Sequence, residues 1–203
     1  MVNVYILLVL YWIIYFIIHS MFASLWIKDL FKKNLPVLSR YYRLIYVIFS
    51  FLLLSGIFIS GSHISPEYLF EKSDYSMILG LILTASGFIV FREGLKLYNL
   101  RAFLGLGYNK DQYGIIPPLK TDGLLKYSRH PLYASSIIII IGYFLFNPTI
   151  SILLSTITLI LYFIIGIQFE ERRLLREYGD TYSQYIKETP MLFPGIKYFL
   201  NHH

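Results

Sequence analysis

Leu132-Tyr-Ala-Ser-Ser-Ile-Ile-Ile-Ile-Ile-Gly-Tyr-Phe-Leu-Phe146 and Ile150-Ser-Ile-Leu-Leu-Ser-Thr-Ile-Thr-Leu-Ile-Leu-Tyr-Phe-Ile-Ile-Gly-Ile-Gln-Phe169 are two apolar runs separated by Asn147-Pro148-Thr149. A helix rising about 1.5 Å per residue needs roughly 20 apolar residues to cross a hydrocarbon core about 30 Å thick, and the second run meets that length. The proline disfavours helix at Asn147, so the pair reads as two spans joined by a tight turn. Charged groups stand at both feet of the hairpin, Arg129-His130-Pro131 before it and Glu170-Glu171 after it. Ionisable residues gathered at a bilayer edge mark a functional site, because solvation alone does not place them there.

The same reading extends along the chain. Val2 to Ile27, Leu44 to Ser62 and Ser76 to Phe91 are further apolar runs, which makes five spans and an all-α, multi-pass membrane protein. The third run passes into Arg92-Glu-Gly-Leu-Lys-Leu-Tyr-Asn-Leu-Arg101, whose polar and apolar residues alternate as in an interfacial helix. Composition agrees: 56% of the residues are hydrophobic and only 15% charged, where a soluble domain carries about a quarter. Val2 to Ile27 lacks a basic leading region and is too long for a signal-peptide core, so it reads as a retained span.

The formal charge of +6 is spread between spans, and therefore reads as a topology signal rather than a nucleic-acid surface. Lys28, Lys32, Lys33, Arg40 and Arg43 face only Asp29 in the first connection, whereas Glu67, Glu71 and Asp74 outnumber Lys72 in the second. Positive loops stay inside, which predicts an external N-terminus, a cytoplasmic C-terminus and a cell-membrane location. Residues 1–203 read as one membrane domain: spans one to three and the interfacial helix in 1–107, then a loop, the hairpin and cytoplasmic helices in 108–203.

Each motif has a plain structural reading beside the functional one. Pro131 suits the first turn of its helix, where its missing N–H costs nothing, and it leaves His130 near the N-cap. Free N–H groups there suit an anionic ligand group, while Arg129 could simply anchor the helix end at the headgroups. In Glu170-Glu-Arg-Arg-Leu-Leu-Arg-Glu-Tyr178, pairs of Glu170 and Glu177 with Arg173 would make a solvated, self-paired helix. Glu170, first after the apolar run, lies at the interface, where its carboxylate could accept from ribose hydroxyls. Gly179 reads as a helix C-cap with a new helix from about Asp180, and the tyrosines at 178, 182 and 185 as packing. His19 reads as hydrogen-bonded between helices. Gly105-Leu-Gly107 lacks the strand and third glycine of a dinucleotide fingerprint, Pro117-Pro118 breaks the loop, and histidines scattered at 19, 63 and 130 lack metal-ligand spacing. With no cysteine there is neither a disulfide nor a Cys nucleophile, no general base is evident, and His202-His203 carry no argument.

From Leu119 to Pro194 the chain resembles the membrane-embedded methyltransferases related to isoprenylcysteine carboxyl methyltransferase. The shared pattern is Leu119-x-Thr121-x-Gly123, Arg129-His-Pro-x-Tyr133, Glu170-Glu-x-x-Leu174, Tyr178-Gly-x-x-Tyr182-x-x-Tyr185 and Pro190 to Pro194. The resemblance implies S-adenosyl-L-methionine as cofactor, bound by Leu119, Lys120, His130, Pro131, Leu132, Tyr133 and Glu170. It implies a membrane lipid environment, a small-molecule or lipophilic methyl acceptor and no obligate protein partner. Two positions depart from the family: a cofactor-contacting tyrosine is Leu125 here, and a substrate-site arginine one turn before the first glutamate is Gly166. His19-Ser20, Ala23-Ser24, Tyr41-Tyr-Arg-Leu-x-Tyr46 and Tyr98-x-x-x-x-Phe103-Leu-Gly-Leu106 are similar to the methanethiol S-methyltransferase branch and to related membrane proteins of nitrite and nitric oxide reduction. A small thiol is the substrate this implies. Prenylcysteine carboxyl or phospholipid amine methylation, a nicotinamide-dependent sterol reductase, and a non-catalytic subunit linked to nitrogen-oxide respiration are the alternatives.

Overall fold

The structure, a computed structural model, describes residues 2–39, 41–98 and 118–195. The readings made of Arg40, of residues 99–117 with Gly105-Leu-Gly107, Pro117 and the extension to Arg101, and of His202-His203 lie outside these. Among the described residues the elements are α1 (Val2–Ala23), α2 (Leu25–Asn34), α3 (Pro36–Ser39), α4 (Tyr42–Ser62), α5 (Asp74–Leu95), a 3₁₀ turn (Gly123–Lys126), α6 (Pro131–Phe146), α7 (Ile150–Tyr178) and α8 (Asp180–Glu188). Helices α1, α4, α5 and α7 are long and apolar enough to cross a membrane, and α6 is a shorter apolar helix. This is an all-α, multi-pass integral membrane protein.

The spans differ from their sequence reading mainly at one end. The first stops at Ala23 rather than Ile27, because the Ser24 hydroxyl accepts from Ile27 N at 3.4 Å and caps a separate helix, α2. Helix α7 runs on to Tyr178, where Gly179 at φ +56° ends it and opens α8. Pro131 takes the first position of α6 with His130 as N-cap, as anticipated.

The chain forms two compact units. Among the described residues, one contains α1 to α4 and residues 150–159 of α7. Leu8, Trp12 and Ile57 form its core, Trp12 Nε1 donates to Ser155 Oγ at 2.9 Å, and Tyr42 donates its hydroxyl to the Phe22 carbonyl at 2.6 Å. His19 is hydrogen-bonded between α1 and α4, to the Tyr46 hydroxyl at 2.8 Å and Ser50 Oγ at 3.2 Å. The Asn147-Pro148 turn is tied by Leu69 N to the Pro148 carbonyl and by Ile150 N to the Glu67 carbonyl, both 2.9 Å.

The other unit contains α5, the 3₁₀ turn, α6, the rest of α7 and α8. Here α5 and α6 pack backbone to backbone. Gly80, Gly87 and Gly94, seven residues apart, form the buried face of α5. A Cβ on Gly80 would lie 2.6 Å from Gly142 O and Phe146 N, one on Gly87 would lie 2.6 Å from Ile139 Cγ1, and one on Gly94 would lie 2.9 Å from Leu132 Cδ2. Lipid is as apolar as any side chain, so spans associate through such close small-residue contacts instead. Gly80→Val should therefore cost about 1–3 kcal/mol by overpacking, read as a lower melting temperature of the detergent-solubilised protein. Gly56→Ala, inside α4 with nothing within 4 Å of its Cβ, should not lower that temperature.

Candidate functional site

The polar centre of the second unit is a single carboxylate oxygen. Glu171 Oε1 accepts from Arg129 Nε at 2.8 Å and His130 Nε2 at 3.2 Å, and pairs with Arg129 NH2 at 2.6 Å. The Arg129 and Glu171 side chains are only 8% and 14% exposed. Arg129 NH1 also donates to the carbonyls of Ile186, at 3.2 Å, and Thr189. Its backbone N donates to Pro190 O at 2.9 Å, and His130 N to Met191 O at 3.2 Å. Arg129 therefore locks the N-terminus of α6 to α7 and to the end of α8, rather than merely anchoring a helix at the headgroups. The expected pairs of Glu170 and Glu177 with Arg173 are not among the ion pairs formed by the described residues, and Glu171 faces inward instead.

Glu170, the neighbouring residue, has different surroundings. It meets His130 Nδ1 at 3.8 Å, too long for a hydrogen bond, and its side chain is 33% exposed. The Tyr133 ring stands edge-on to His130, with centroids 5.8 Å apart, and to Phe163 at 5.6 Å. A Cβ on Gly166 would lie 3.7 Å from the Tyr133 hydroxyl, so the glycine leaves open the space a larger side chain would fill. Burial first, then the Glu170 carboxylate, push the Tyr98 phenol up, which places Tyr98 at the same cluster. Burial and then Glu171 push the Tyr182 phenol up to about 12, with Arg129 opposing. Tyr182 thus stays neutral beside the ion pair at physiological pH.

A cleft of about 590 Å³ is lined by Leu119, Thr121 and Lys126 on one side and Thr181, Gln184, Tyr185, Glu188 and Thr189, whose carbonyl accepts from Arg129, on the other. Its walls are tied together by the Tyr185 hydroxyl, which donates to the Leu125 carbonyl at 2.6 Å. Leu125, where the family resemblance implies a tyrosine contact, is buried.

Of the residues implied by the resemblance, His130, Tyr133 and Glu170 come together, with Pro131 buried beneath them and Leu132 against Gly94. Leu119 lines the cleft, and Lys120 Nζ donates to the Leu97 carbonyl at 3.4 Å. Sequence reasoning missed Glu171, Tyr182 and Tyr185 as parts of this centre. The usable signal was an arginine at a membrane edge: it needs a carboxylate, and a hairpin returning at Glu170-Glu171 supplies two.

The comparisons with known proteins make this a membrane methyltransferase. Residues 75–181 match the model of the phospholipid methyltransferase family, and the chain belongs to that family. It is 27% identical over 188 residues to methanethiol S-methyltransferase of Crocosphaera subtropica, covering 88% of this chain and 70% of that protein. It is 29% identical over 192 residues to methanethiol S-methyltransferase 2 of Bradyrhizobium diazoefficiens, covering 88% and 68%. A 79-residue stretch is 38% identical to protein-S-isoprenylcysteine O-methyltransferase of Schizosaccharomyces pombe, covering 38% of this chain and 34% of that protein. No solved structure matches the chain.

Removing one partner of a buried ion pair strands the other charge, at about 3–5 kcal/mol. Arg129→Met should therefore lower the melting temperature far more than Arg173→Met, by thermal unfolding in detergent.

Proposed function

We propose that the protein transfers a methyl group from S-adenosyl-L-methionine to a small thiol such as methanethiol, at a site on the cytoplasmic side of the cell membrane. The single observation that carries the reading is the chain-long similarity to the two methanethiol S-methyltransferases, which spans 88% of the chain in each case. The glycine at 166 supports it, since that position puts no side chain of its own beside the Tyr133 hydroxyl. The likeness to the prenylcysteine enzyme covers only 38% of the chain.

The residues present fit a sulfonium nucleoside. Of the implied residues, His130, Tyr133 and Glu170 cluster together, and Leu119 lines the neighbouring cleft. Arg129 is committed to Glu171, which leaves the half-exposed Glu170 carboxylate able to accept from hydroxyl groups. Leu119, Lys120, His130, Pro131, Leu132, Tyr133 and Glu170 would hold the cofactor. When bound, it supplies an electrophilic methyl group on a positively charged sulfur.

The remaining chemistry falls to this chain's residues. Tyr133, Phe163 and Pro131 exclude water, and the Arg129–Glu171 lock keeps His130 and Glu170 in register. Enclosure favours attack of an anion on a cation, because the charges disperse and bulk water opposes that change. Alignment supplies much of the rest. A thiol carries its own thiolate fraction, so this acceptor makes a dedicated base unnecessary.

Membranes given methanethiol and methyl-labelled cofactor should release labelled dimethyl sulfide, measured by headspace gas chromatography. Label appearing only in lipid or in prenylated protein would replace the thiol with those acceptors, and no label anywhere would favour a non-catalytic subunit. In calorimetric titration, S-adenosylhomocysteine should bind the wild type saturably and bind Glu170→Ala and His130→Ala at least about tenfold more weakly.

A further inference from the structure

Helix α2 is held at a membrane edge from both ends. It follows the span α1, which stops at Ala23, and it precedes the span α4, which starts at Tyr42. The Tyr42 hydroxyl ties the two span ends together through the Phe22 carbonyl, and the Tyr42 ring packs on Phe31 of α2 with centroids 5.1 Å apart. The helix therefore stays beside the feet of both spans.

No residue of α2 is buried in the protein. At about 100° per residue, Trp26, Leu30, Ile27 and Phe31 share one arc of the helix. Ile27 and Phe31 are half-buried, whereas Trp26 and Leu30 are 67% and 45% exposed. Lys33 and Lys28 border this arc at its two edges, and Asp29 and Lys32 lie on the far side. An apolar strip with tryptophan, flanked by lysines whose stems can carry their charge outward, is what a helix lying in a bilayer interface presents. The charge selects the lipid. Between the spans the chain carries Lys28, Lys32, Lys33 and Arg40 against Asp29 alone, which complements anionic headgroups better than zwitterionic ones.

We propose that α2 is a docking surface for anionic phospholipid: Trp26 and Leu30 enter the acyl boundary, and Lys28 and Lys33 bind the phosphate-bearing headgroups. The proposal stands whichever methyl donor and acceptor the protein uses.

Hydrogen–deuterium exchange of the full chain tests it, in nanodiscs of phosphatidylcholine alone and of phosphatidylcholine with phosphatidylglycerol. Peptides covering 25–34 should exchange at least roughly fivefold more slowly with the anionic lipid, the factor that one lysine at a charged surface supplies. Lys28→Gln/Lys33→Gln should lose that difference while peptides covering 42–62 exchange as in wild type, which shows that the variant is folded. Salt at about 1 M should erase the difference in wild type without any substitution. Equal exchange in the two lipids overturns the proposal, as does a slowing that survives the double substitution or the salt.

Discussion

The arrangement depends on one buried ion pair at the mouth of a membrane hairpin. Arg129 immediately precedes the N-cap of α6, Glu171 lies in α7, and the carbonyls of Ile186 and Thr189 lie at the end of α8, so a single guanidinium gathers three elements. Burying such charges costs more than their attraction returns unless every donor and acceptor is used, and here Arg129 has carboxylate and carbonyl partners together. The pair is thus better understood as setting register than as adding stability. It leaves two adjacent carboxylates in unlike settings, Glu171 bonded to Arg129 and His130 and Glu170 a third exposed. That asymmetry makes one of them structural.

The glycine seam carries this order into the bilayer. Gly80, Gly87 and Gly94 bring the α5 backbone against α6, and the last of them seats Leu132 two residues from His130. A membrane offers no hydrophobic gain for helix pairing, so close approach and hydrogen bonding do the work. In the first unit the Tyr42–Phe22 bond and the His19–Tyr46 and His19–Ser50 bonds hold α1 to α4. His19 is thereby accounted for as a link between helices.

The spans were largely legible, because hydrophobic length is imposed by bilayer thickness and needs no tertiary information. Pro131, Asn147-Pro148 and Gly179 marked their boundaries for the same local reason, a backbone that cannot continue as it was. Ser24 was harder to read, since a hydroxyl inside an apolar stretch either caps a new helix or bonds back to the old one. The site was half legible. His130 and Glu170 stood out as ionisable groups at a membrane edge, but Glu171 looked like one more charge in a solvated run. Only the packing of α7 against α6 and α8 decides which glutamate turns inward, and no local pattern encodes that. The glycine heptad was visible in the sequence yet gained meaning only beside Gly142 and Ile139.

The central claim is that the segments carrying His130 and Glu170, with α8, form one ligand site. Hydrogen–deuterium exchange in nanodiscs, with and without S-adenosylhomocysteine, tests it most directly. Protection on ligand addition should appear in peptides covering residues 119–133 and 170–189, with those covering 2–62 unchanged. Unchanged exchange throughout, or protection confined to 2–62, would contradict the account.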